Sequence, residues 1–125
     1  MTFPTPRADL MHTGAEVPLV GETTPMKEAL LVMTEKRFGA VGVTDASGAL
    51  VGLITDGDLR RHIDGLLDHM AGEVMTRDPR TTTAKTLAAE ALKTMEGRIT
   101  VLFVVDQTQP IGIVHVHDLL RAGVI

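Results

Sequence analysis

The sequence predicts an α+β fold in which one helix–strand–strand–helix unit is used twice. Three observations predict it. The stretch "VGLITDGDLRR" (Val51–Arg61) returns sixty positions later as "IGIVHVHDLLR" (Ile111–Arg121), pairing Gly52 with Gly112 and Asp58 with Asp118. Upstream, "EALLVM" (Glu28–Met33) is answered by "EALKTM" (Glu90–Met95), and "DLMHTG" by "EVMTRD", which matches Met11 with Met75. Small differences in loop length account for the changing offset. In both copies the apolar pattern passes from helical to extended spacing in the same order.

Each element has its own warrant. In the first copy, Met26, Ala29, Leu30 and Met33 fall on one helical face, and Pro25 suits the first helical position. The apolar runs "AVGV" and "LVGLI" form a hairpin through the turn Asp45–Gly48. A helix from about Asp56 to Leu67 then presents Leu59, Ile63, Leu66 and Leu67 inward. In the second copy, Leu87, Ala88, Ala91, Leu92 and Met95 make the first helical stripe. "TVLFVV" and "PIGIV" pair around "DQTQ", with Pro110 at a strand start, where a missing N–H does least damage. The last helix runs from Val116 to about Arg121, and short extended pieces at "EVPLV" and "RTTT" lead into the two modules. The halves meet near His69–Gly72, giving domains at 1–70 and 71–125.

Composition narrows the function. With 44% hydrophobic residues the chain is globular, and its core falls to aliphatic residues and methionine, since there are three Phe and no Trp or Tyr. Few aromatics and a net charge of −4 argue against nucleic acid, which requires stacking platforms or a basic footprint. With no cysteine, disulfides and thiolate chemistry are excluded. The apolar runs are too short to span a membrane, and the N-terminus lacks the apolar stretch of a signal peptide, so a cytoplasmic protein is expected.

The repeated strand-to-helix junction carries the chemistry. Thr55 ends a strand and Asp58 follows in the first helical turn, the pattern of a capping box. The same atoms suit a ligand: a carboxylate accepts ribose hydroxyls, a threonine hydroxyl contacts phosphate, and Gly52 leaves room for close approach to the strand. Both readings stand on the spacing alone. Arg60 and Arg61 follow, able to hold an anion bidentately or to remain solvated. In the second copy His115 replaces the threonine, and His117 lies two positions on. If extended, both imidazoles share one face; a metal pair, an anion or sugar contact and a structural hydrogen bond are all compatible with that. No paired-carboxylate or Ser–His–Asp constellation stands out, and Asp56 and Asp58 do not share a helix face.

The duplicated unit with "GLITDGD" at its junction resembles a tandem pair of CBS domains over essentially the whole chain, from about Asp9 to Ile125. The resemblance implies two pseudo-two-fold-related repeats whose inter-repeat clefts bind adenosine nucleotides such as AMP or ATP. It assigns phosphate contact to Thr55 and ribose contact to Asp58, with Asp118 at the matching place and His115 as a departure. It sets Val17–Val20, Arg37–Ala40, Thr76–Thr81 and Arg98–Val101 along cleft walls. Arg61, His115 and His117 complete the candidate ligand-binding set.

With its flanks, "DLMHTG", "TDGDLRR", "EVMTRDP" and "HVHDLLRAG", the chain is similar to the C-terminal portion of bacterial arabinose-5-phosphate isomerases. That resemblance implies a noncatalytic regulatory portion of such an enzyme, beginning at an added Met1, since a sugar-isomerase domain would need roughly 200 further residues. It implies the sugar-isomerase domain and a second copy of the chain as partners. It also implies a role in the Kdo and lipopolysaccharide precursor pathway and, as a further candidate ligand, a cytidine nucleotide-sugar such as CMP-Kdo. No cofactor is required. The alternative is a free-standing CBS pair acting as a structural or dimerisation module without a physiological ligand.

Overall fold

The computed structural model describes residues 11–36, 38–83, 93, 95 and 100–121. Its strands are β1 (His12–Thr13), β2 (Leu19–Gly21), β3 (Ala40–Thr44), β4 (Leu50–Thr55), β5 (Thr76–Arg77), β6 (Thr81–Thr82), β7 (Val101–Asp106) and β8 (Gln109–His115). Its helices are α1 (Met26–Lys36), α2 (Asp56–Arg61), α3 (Ala71–Val74) and α4 (Val116–Arg121). The strands form two four-stranded sheets of matching design, β2-β3-β4-β5 and β6-β7-β8-β1. In each, a parallel pair leads into the long antiparallel hairpin, and a two-residue strand closes the far edge.

The chain divides into two compact units, one of residues Pro18–Pro79 and one of Arg80 onward together with the segment ending at Val17. Sequence halves and spatial units therefore differ at both lead-ins. β5 follows the midpoint of the sequence yet pairs with β4, while β1, from the start of the chain, pairs with β8.

In the Pro18–Pro79 unit, α1 packs Met26, Ala29 and Met33 against Val41, Val43 and Ile54 of the hairpin. The helical spacing of these residues buries one face of α1 and leaves Lys27, Glu28 and Leu31 exposed. Pro25 sits one position earlier than expected: it precedes α1, and its carbonyl accepts the Ala29 N–H at 3.1 Å. The Asp45 carboxylate organises the hairpin turn, accepting from Ser47 N–H, Ser47 Oγ and Ala49 N–H. These bonds hold the Asp45 carboxyl below the usual range, led by the Ser47 hydroxyl. Gly48 supplies the left-handed residue of the turn, with φ 88°.

α2 is shorter than the expected Asp56–Leu67 helix. It ends at Arg61, and Gly65 takes a left-handed φ of 69° before a single 3₁₀ turn at Leu66–Asp68. That break buries Leu66 but turns Ile63 and Leu67 outward, contrary to the expected inward stripe.

The second unit has the core its patterning predicts. Val101–Val104, Ile113, Val114 and Leu119 are buried, and Met95 lies under 2% exposed. Leu87, Ala88, Ala91 and Leu92 of the expected helical stripe lie outside the described residues. The β7–β8 hairpin turns at Gln107, which adopts φ 59°, and its register shifts beside Val105, opposite Pro110.

Candidate functional site

In the Pro18–Pro79 unit the junction forms where β4 ends at Thr55 and α2 begins. Asp58 lies in the first turn of α2 and is only 3% exposed. Its Oδ2 accepts the Thr55 N–H at 2.9 Å and the Thr55 hydroxyl at 3.2 Å, so the carboxylate reaches back to the cap residue as a capping box requires. Its Oδ1 accepts the Thr76 hydroxyl at 2.6 Å and an Arg61 guanidinium N–H at 2.5 Å. Gly57 makes room for that arginine: a Cβ there would lie 3.3 Å from Arg61 Nη1. Burial disfavours the charged carboxylate, but the bonds from Thr76, Thr55 N–H, Arg61 and the Thr55 hydroxyl together outweigh it and hold the carboxyl below its ordinary value.

Three of the expected residues, Thr55, Asp58 and Arg61, thus converge, joined by Thr76 from β5. Asp56 points to solvent, as the helix geometry predicts, and Arg60 is exposed. Gly52 has a different task from the one first considered. A Cβ on it would lie 2.8 Å from Met75 Cγ and closer still to Sδ, so the space beside the strand is filled by Met75 and not left for a ligand.

The unit containing β8 builds the counterpart with different chemistry. Asp118, 7% exposed, accepts the His115 N–H at 2.8 Å, repeating the Asp58–Thr55 backbone bond. β1 pairs His12 with Ile113 as β5 pairs Thr76 with Leu53, so His12 occupies Thr76's place. Its Nε2 lies 3.3 Å from Asp118 Oδ2, and its Nδ1 lies 2.9 Å from Glu16 Oε2. An imidazole with one N–H can donate to only one of these carboxylates at a time.

His115 and His117 do meet, with ring centroids 4.4 Å apart, but not as two residues of one extended strand. His115 ends β8, His117 lies in α4, and the His117 backbone N–H donates to His115 Nδ1 at 3.0 Å. Among the described residues no group of three His, Cys, Asp or Glu is placed to hold a metal ion. Gly112 is filled like Gly52: a Cβ there would lie 2.7 Å from Met11 Sδ.

Sequence reasoning left His12 without chemistry and gave Thr76 only a loose place. The signal that could have found both is the match of "DLMHTG" to "EVMTRD", which sets His12 opposite Thr76.

Two junctions of one design accompany a twofold match to one family model: residues 8–65 and 71–125 each match the CBS domain. The chain belongs to the CBS-domain family. This CBS pair is 46% identical over 121 residues to arabinose 5-phosphate isomerase KdsD of Pseudomonas aeruginosa, covering 93% of this chain and 37% of that protein. It is 43% identical over 122 residues to the Yersinia pestis protein of the same name, covering 94% and 37%. The CBS pair therefore spans little more than a third of the length of these relatives. Among solved structures, the CBS-pair protein CBSX2 from Arabidopsis thaliana matches with a TM-score of 0.79 at 25% identity, over 93% of this chain and 92% of that one. CBSX2 in complex with AMP matches with a TM-score of 0.78 at 26% identity over 93% of each. No helix among the described residues of the CBS pair is long and apolar enough to cross a membrane.

Proposed function

We propose that the chain is a noncatalytic sensor whose junctions bind a nucleotide, with adenosine monophosphate as its simplest ligand. The observation that carries this reading is the junction itself. A buried Asp58 beside the strand-ending Thr55, with Arg61 on the next turn, gathers a carboxylate for ribose hydroxyls, a hydroxyl and a guanidinium for phosphate. The AMP-bound relative of the same fold supports the ligand class. At the second junction, His115, His117 and Asp118 suit a ligand with a sugar or acid group better than a plain adenine nucleotide.

Likeness to KdsD supports the wider role: a regulatory portion of an arabinose-5-phosphate isomerase in the Kdo and lipopolysaccharide pathway. There the pair would pass ligand occupancy to a sugar-isomerase domain as a homodimer in the cytoplasm. A coupling of about 1–3 kcal/mol would suffice. CMP-Kdo and ATP are the finer ligand candidates.

A second reading has an observation of its own. All acceptor positions of Asp58 are already taken by the chain, which suits a structural or dimerisation module with no physiological ligand.

Calorimetric titration of the native chain with AMP, ATP, CMP and CMP-Kdo separates the two. The sensor reading expects saturable binding by at least one, abolished by Asp58→Asn or Asp118→Asn. If none binds, and both variants alter only the melting midpoint, the structural reading holds.

A further inference from the structure

We propose that Thr76 is a gate on the first junction: its hydroxyl holds the acceptor position that a ribose diol must take, and a ligand binds by displacing it. The inference rests on the nucleotide reading above and adds a residue that governs affinity.

A carboxylate offers about four lone-pair directions, and Asp58 has four intrachain donors. The two on Oδ2 come from Thr55: its backbone N–H is fixed by the end of β4 and stays, while its hydroxyl, the longest bond of the four at 3.2 Å, is the one a phosphate would draw away. The two on Oδ1 come from side chains that can turn away. Arg61 is largely exposed, and Thr76 lies exposed on β5, a two-residue strand at the sheet edge. A vicinal diol donates two hydrogen bonds, and Oδ2 can open no more than one position while the Thr55 N–H stays, so the diol must also compete at Oδ1.

Of the two, Thr76 is the obstacle. Once swung off the carboxylate, Arg61 still offers a cation to a nucleotide phosphate, whereas the exposed Thr76 hydroxyl exchanges its 2.6 Å bond to a carboxylate for water. Its position also gives the gate a consequence. Thr76 opposes Leu53 and Arg77 opposes Gly52 in the short β4–β5 ladder, so releasing the hydroxyl loosens the strand that begins the second sequence half. Ligand occupancy and the hold on β5 are then linked through one oxygen atom.

The test is calorimetry of the full chain with AMP and with its 2′,3′-dideoxy analogue, on the native protein, Thr76→Val, Thr76→Ser and Asp58→Asn. Valine keeps the shape and strand preference of threonine and removes the donor. Thr76→Val is expected to bind AMP about tenfold more tightly, the equivalent of one net hydrogen bond no longer competing. Thr76→Ser should restore native affinity, and the gain should vanish for the dideoxy analogue, which has no diol. Unchanged or weaker AMP binding by Thr76→Val, while the native chain binds through Asp58, overturns the gate and leaves the nucleotide reading intact. An equal gain for the dideoxy analogue also overturns it, since the effect is then not at the diol. Failure of both the native chain and Thr76→Val to bind AMP overturns the nucleotide reading and the gate together.

Discussion

Asp58 gathers four donors on one buried carboxylate, and its removal has a calculable direction. Asp58→Ala leaves the Thr55 N–H without its cap and should cost about 1–2 kcal/mol. The Arg61 bond adds little, because that side chain is mostly in water. Since the folded carboxyl is held below its ordinary value, its stabilising contribution is complete above about pH 4 and fades as pH falls through the lowered value. Urea midpoints of the native chain and Asp58→Asn should therefore differ at pH 7 and converge toward pH 2; a constant gap would show that ionisation is irrelevant. A second residue reads the opposite way. Among the described residues, the Thr82 hydroxyl is buried without a hydrogen-bond partner, so Thr82→Val should raise stability by about 1 kcal/mol, seen as a higher melting temperature. At this scale the sequence announced Thr55 and Asp58 by spacing and repetition. It could not announce that Thr76, eighteen positions on, would share Oδ1 with Arg61, because that bond depends on a strand pairing.

The strand element explains why the repeat keeps a glycine. Gly52 lies against Met75, and Gly112 against Met11, each methionine entering with an edge strand from elsewhere in the sequence. Gly52→Ala should cost about 1–3 kcal/mol, since Met75 Cβ itself stands 3.0 Å from the added carbon and must move. Combining it with Met75→Ala should cost less than the sum of the two, a coupling that denaturant midpoints of the four-variant cycle would resolve. Both members of this pair were visible in the sequence, Met11 matching Met75 and Gly52 matching Gly112, but not that they touch. The helix length was less legible. Leu59, Ile63, Leu66 and Leu67 keep helical spacing, yet the helix ends at Arg61 and Gly65 then adopts a left-handed conformation before the next turn. Spacing records where apolar residues fall; it does not record a backbone reversal between them.

Across the molecule, duplication was the most readable feature, since hairpins and junctions recur in order. Which segment completes which sheet was not, because short edge strands such as His12–Thr13 and Thr76–Arg77 carry no period long enough to detect. The exchange of these strands makes a prediction about fragments. Residues 18–79 hold all four strands of one sheet together with Ala71, Val74 and Met75 of its core. A fragment cut at the sequence boundary, 1–70, loses β5 and all three core residues. The first should melt cooperatively by circular dichroism and the second should not; equal midpoints would show that the exchanged segment contributes nothing.

That exchange also bears on dilution. A solitary helix–strand–strand–helix module would leave its sheet edge open until a strand arrived from another molecule, and its integrity would then depend on concentration. Carrying two modules on one polypeptide replaces that encounter with a tethered one, at an effective concentration in the millimolar range. Each half is thereby completed however scarce the protein becomes, and a nick between the halves would restore the dependence that fusion removed.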